Sequence, residues 1–153
     1  MENKTKIFAE EGKQDIIITR EFDAPVELLF EGFIKPELIG QWMGTNVLKF
    51  EPTKFGSYEF QTEHNGHIVF RGVGAFHDII LNKKIIRTFE MENSEIDVQL
   101  EFLEFEKLSD SRSKLTKQII YKSNEHRAIQ LKMPFEYGLN MAHNQLEKIL
   151  LNK

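Results

Sequence analysis

The chain has no cysteine. That removes disulfides, thiolate nucleophiles and every metal site built on sulfur. No stretch approaches the roughly 18 uncharged apolar residues that a spanning helix needs, and the opening MENKTKIFAEEGKQD has lysines but not the apolar run of a signal peptide. A cytoplasmic location without a membrane span is therefore the expectation. Basic residues are also in deficit: 20 Lys and Arg stand against 24 Asp and Glu, a net charge of -4. A broad phosphate-binding surface needs the opposite balance, so nucleic acid is not an expected partner. The chain contains no G-x-G-x-x-G, Walker-type loop, H-E-x-x-H or G-x-S-x-G. Nucleotide binding and covalent catalysis thus have no support, and no cofactor is expected. Proline and glycine number only 4 and 9, and no linker, repeat or low-complexity tract divides the chain.

What is present is a large apolar content, 41% with 13 Phe in 153 residues, enough for one good core. Residues 1–13 read as an irregular N-terminal extension and residues 14–153 as a single domain. QDIIITREF, rich in β-branched types, reads as a strand that stops at Asp23-Ala24-Pro25. In PVELLFEGFI the residues Val26, Leu29, Phe30 and Phe33 share one helical face. Pro36 interrupts, and PELIGQWM is a second short helix that Gly44 ends.

From Thr45 the apolar period becomes two. Tyr58, Phe60 and Thr62 share a face, Asn65-Gly66 marks a hairpin, and Phe70, Gly72, Gly74 and Phe76 return. Glycines at alternate positions clear one face, which lets a sheet bend or leaves room beside it. Ile85, Arg87, Phe89 and Met91 then align on one face. In the next strand Ile96, Val98, Leu100 and Phe102 alternate with Asp97, Gln99 and Glu101. A turn at 109–112 would set Leu100 against Tyr121, Phe102 against Ile119 and Glu104 against Lys117. Residues 124–133 fit a short helix or a loop. After Pro134, Phe135, Leu139, Ala142, Leu146, Ile149 and Leu150 fall on one side of a helix of about five turns. A sheet of about seven antiparallel strands with one long helix to cover it must curl around that helix, an α+β arrangement.

The stretch ITREFDAPVELLFEGFIKPELIGQWMG, followed by the meander and the terminal YGLNMAHNQLEKIL, resembles the activator-of-Hsp90-ATPase-homologue (AHSA-like) family of the START-like, or SRPBCC, superfamily. Thr19-Arg20, Phe22-Asp23-Ala24-Pro25, Phe30, Pro36 and Trp42 carry most of the likeness, which runs from about Ile16 to Leu150. Gly138 and Leu146 add to it. The resemblance implies the helix-grip fold, in which a curved antiparallel sheet grips the C-terminal helix around an apolar cavity. Where members often carry a second aromatic or a proline after the tryptophan, this chain has Met43-Gly44. The superfamily includes lipid carriers, hormone receptors, cyclases and co-chaperones, so the likeness implies a fold more than an activity.

Strand alternation and the helix stripe give a candidate ligand-binding lining of Trp42, Phe60, Phe70, Arg87, Phe89, Val98, Leu100, Tyr121, Leu139 and His143. Trp42 either lids the cavity or staples the second short helix to the core. Arg87 either holds a ligand carboxylate or pairs with a glutamate of the chain itself. His143 is a ligand donor, an acid or base, or a satisfied boundary histidine. His64 and His67 face each other across the Asn-Gly turn and read as an exposed tip; no metal site is assigned. The acidic residues of 90–101 and the basic residues of 107–122 read as solvated outer faces.

These observations lead to the expectation of non-catalytic binding or sensing of a small hydrophobic molecule, lipid-like or polycyclic. Two alternatives stand beside it. One is a cyclase- or hydrolase-like enzyme acting on a polyketide-like substrate through His143, Arg87 and Tyr121. The other is a co-chaperone module. Eukaryotic members of such a family stimulate the Hsp90 chaperone and carry an additional N-terminal domain not expected in a chain of this length, so the resemblance alone does not imply a chaperone partner. Tyr137 and Met141 project away from the stripe of the last helix, which leaves a homodimer contact open.

Overall fold

A computed structural model describes residues 3–152. In chain order the elements are β1 (Lys6–Phe8), β2 (Asp15–Phe22), α1 (Val26–Ile34), α2 (Pro36–Met43), β3 (Asn46–Phe50), β4 (Ser57–His64), β5 (His67–Ile80), β6 (Lys84–Met91), β7 (Gln99–Ser109), β8 (Arg112–Ile120), α3 (Asn124–Lys132) and α4 (Phe135–Leu151). All strand pairs are antiparallel, and the sheet order is β1-β2-β8-β7-β6-β5-β4-β3. This is the helix-grip architecture, with eight strands where about seven were expected. Among the described residues, no helix is long and apolar enough to cross a membrane.

The additional strand is β1, within the segment expected to be irregular. It pairs with β2, and side chains tie the same segment to α4: the Thr5 amide donates to Asn140 Oδ1 at 2.9 Å, and Asn3 donates to Glu147. Residues 124–132, read as helix or loop, are helical. Ser123 caps them, its hydroxyl accepting from the His126 amide.

Two hydrophobic clusters make the core. The larger joins α1, α2 and the C-terminal half of α4 to the sheet through residues such as Phe30, Phe33, Tyr58, Phe76, Leu103, Phe105 and Leu146. The smaller gathers Ile16, Ile18, Ile96, Ile119 and Tyr121 beneath Ile129, Phe135 and Leu139. Between them the packing changes character.

The expected facing holds on β4, β5, β6 and β8 and fails on β7. The turn at 109–112 forms, with Ser109 opposite Arg112, but the ladder shifts between Lys107 and Ser109, so Lys107 pairs with Ser113. Leu108 is the extra residue of this bulge. A one-residue slip turns a whole strand over. Glu101 therefore pairs with Ile119 and Leu103 with Lys117, and Gln99, Glu101, Leu103 and Phe105 are buried on the inner face. Val98 and Leu100, expected inside, point outward, and Val98 is 44% exposed.

Gly74 lies opposite Tyr58, whose ring crosses the glycine so that its hydroxyl donates to the Thr88 carbonyl at 2.6 Å. A Cβ at 74 would collide with that carbonyl and with the Tyr58 hydroxyl. Gly74→Ala is expected to destabilise the protein by about 1–3 kcal/mol through overpacking, read as a lower urea midpoint. An unchanged midpoint would show that the strand moves aside freely.

Candidate functional site

At the junction of the two clusters, on the inner face of three adjacent strands, lie three charges. Arg87 on β6 donates from Nε to Glu101 Oε1 at 2.9 Å, and Lys117 Nζ on β8 lies 3.4 Å from Glu101 Oε2. The Gln99 side chain donates to the same Oε2 at 2.7 Å. The Arg87 guanidinium also lies over the Tyr58 ring, 5.5 Å from its centroid. Glu101 is 1% exposed. Burial opposes its charge, but Lys117 and Arg87 outweigh burial and hold the carboxyl at about 2. Burial lowers the Lys117 ammonium, with Glu101 acting against that fall.

Above these charges is a cleft of about 170 Å³. Its floor is buried: Ile18, Phe60, Gln99, Glu101, Ile119 and Tyr121. Its rim comprises Met43, Phe89, Gln130, Phe135 and Leu139, half-buried or exposed. The Tyr121 side chain is almost wholly buried, yet among the described residues its hydroxyl has no hydrogen-bond partner. Burial, and then the negative charge of Glu101, push its phenol up.

The cleft brings together Phe60, Arg87, Phe89, Tyr121 and Leu139. Other candidates lie elsewhere. Trp42 is buried in the larger cluster and donates from Nε1 to the Gly32 carbonyl at 2.7 Å, its ring tilted against Phe33. It clamps α2 to α1; its neighbour Met43 reaches the cleft. Phe70 stacks against Phe89 outside the lining, with ring centroids 6.5 Å apart. Val98 and Leu100 border a shallow groove on the outer face. His143 is sealed beneath the N-terminal segment, its Nδ1 2.7 Å from Thr5 Oγ1 and its ring edge-on to Phe22. Burial, then the charges of Arg20 and Lys117, push its imidazole down to about 3.

The charge pattern assigned Glu101 and Lys117 to solvated outer faces; the bulge turns Glu101 inward, and Lys117 shares the inner face of β8 with Ile119 and Tyr121. Gln130 was missed because 124–133 had no firm assignment, for which the Ser123 cap was the available signal; Phe135 was placed on the stripe of the last helix but not in the lining. His64 and His67 pair across their turn, and no group of three or more potential metal ligands occurs among the described residues.

Sheet, gripped helix and interior cleft together define a helix-grip, START/SRPBCC-type protein. The profile of the family described as Activator of Hsp90 ATPase homolog 1-like protein matches residues 23–151. The chain belongs to that family. No curated protein matches it. Solved structures agree on the fold. A protein from Rhodobacter sphaeroides is 18% identical, with a TM-score of 0.87 over 98% of this chain and 99% of its own. One from Arthrobacter aurescens is 20% identical with a TM-score of 0.85, over 97% and 92%. One from Staphylococcus epidermidis is 25% identical with a TM-score of 0.79, over 94% and 93%.

Removing the central charge strands its partners. Glu101→Gln is expected to destabilise by about 3–5 kcal/mol, since Arg87 and Lys117 then face each other uncompensated; a smaller loss in urea unfolding would mean that water already screens them.

A separate pH effect belongs to His143. Its folded pKa lies below the ordinary value near 6.5, so the unfolded chain takes the proton first. Stability is full above about pH 6.5 and falls on acidification, by at most about 1.4 kcal/mol per pH unit. The Glu101 contribution is lost only below its ordinary value near 4.5, as pH falls toward about 2. Urea unfolding between pH 6.5 and 5 therefore isolates the histidine, and His143→Gln is expected to flatten that slope.

Proposed function

We propose that this chain binds a small, mainly apolar molecule in the cleft between the sheet and helices α3 and α4, without catalysing a reaction on it. The supporting observation is the unfilled space of about 170 Å³ where the two hydrophobic clusters stop short of each other. Protein interiors are close-packed, and a dry cavity of about 150 Å³ admits benzene. A ring with a short side chain, or two fused rings with one edge in the mouth, suits this space. A lipid chain or a polycycle of more than two rings would have to displace the rim, so among the lipid-like and polycyclic compounds expected from the sequence the space favours the smallest.

The titratable groups favour binding over catalysis. A general acid or base working at neutral pH needs a pKa near 7. Glu101 is held down by its cations and Tyr121 is pushed up. Lys117 is lowered by burial but engaged by Glu101. His143 is outside the cleft and occupied by Thr5.

Burying about 150 Å² of ring surface contributes on the order of 4 kcal/mol before association costs, so binding of a neutral ring no tighter than about millimolar is expected. An amide-resolved NMR titration with 2-naphthamide should move Phe60, Phe89 and Leu139 together. Leu139→Trp, which fills the cleft, should abolish those shifts and keep the protein folded. Shifts scattered over the surface, or indifferent to Leu139→Trp, would defeat this reading.

A further inference from the structure

Resting on the cleft-binding reading, we propose that the guest carries a carboxylate, held at the cleft floor by the Lys117 ammonium and the Tyr121 hydroxyl. Three observations converge. Arg87 and Lys117 surround one carboxylate, leaving these groups with a net positive charge. The carboxylate is fully engaged: Oε1 accepts from Arg87, and Oε2 meets Gln99 and Lys117. What remains free on the floor is donor capacity.

Lys117 has three N–H donors and, among the described residues, meets one anion, Glu101, at 3.4 Å. Tyr121, a residue lining the same cleft, has a buried O–H with no partner among the described residues. An orphaned buried hydroxyl is costly and calls for an acceptor. A carboxylate supplies acceptors for both donors and neutralises the surplus charge, while the apolar wall of Ile18, Phe60, Ile119 and Leu139 covers its ring. An amine would meet the surplus positive charge and find no free carboxylate. The described class is therefore a small aromatic or alicyclic acid.

The test compares 2-naphthoate with 2-naphthamide, which share a ring system and differ chiefly in charge, by calorimetry or NMR titration. The acid is expected to bind at least about tenfold more tightly, as charge-assisted hydrogen bonds allow. Tyr121→Phe and Lys117→Met should each remove most of that preference, lowering the acid's affinity much more than the amide's. The Tyr121 variant is structurally mild, because the hydroxyl it deletes has no partner among the described residues, and its melting temperature should equal or exceed that of the parent. Equal affinity for acid and amide, or a preference for the amide, overturns the carboxylate proposal and leaves the cleft reading standing. Binding of neither compound overturns both. A preference that survives in both variants overturns the assignment of these anchors.

Discussion

Glu101 lies on the middle one of three strands with a cation on either side, Arg87 at 2.9 Å and Lys117 at 3.4 Å. Removing these charges from water is unfavourable by several kcal/mol each unless their geometry compensates. Here Gln99 completes the second oxygen of Glu101 and the Tyr58 ring lies beneath the guanidinium. An apolar core cannot run through such a point. The core accordingly divides into two clusters, and the space between them is the cleft.

The long helix serves the two regions differently. Its C-terminal half is packed: Leu146 and Leu150 join the larger cluster, Leu146 presses on α1 at Gly32, and Trp42 fixes the same glycine's carbonyl from α2. Glu147 binds Arg20 and the Asp23 amide. Its N-terminal half is less confined, with Phe135 and Leu139 half-buried along the cleft rim. The N-terminal strand and its flank close the far side by sealing His143 under Thr5. One end of the helix is anchored, and the other covers a space that side chains do not fill.

Much of this was readable in the residues. The two short helices, the Asn-Gly hairpin, the inward faces of β4, β5, β6 and β8 and the stripe of α4 follow from apolar period and turn chemistry. Strand β7 was harder because both of its faces carry apolar residues: Leu103 and Phe105 on one, Leu100 and Phe102 on the other. Alternation then cannot decide which face is inside. Burial of Leu103 and Phe105 against α1 and β8 decides it, and Leu108 absorbs the mismatch. That choice also determines the chemistry of the interior. The facing read from the pattern would have left Arg87 inside without Glu101.

Composition and periodicity by themselves determined the element types, the α+β class and the absence of cysteine chemistry, because those depend on residue identity and on spacing along one chain. They also supplied the sequence motifs that carry the family likeness. Tertiary structure decided the facing of β7, the inward placement of Glu101 between Arg87 and Lys117, the sealing of His143 and the remaining cleft. Each of these depends on a register between segments distant in sequence, where a single bulged residue reverses inside and outside.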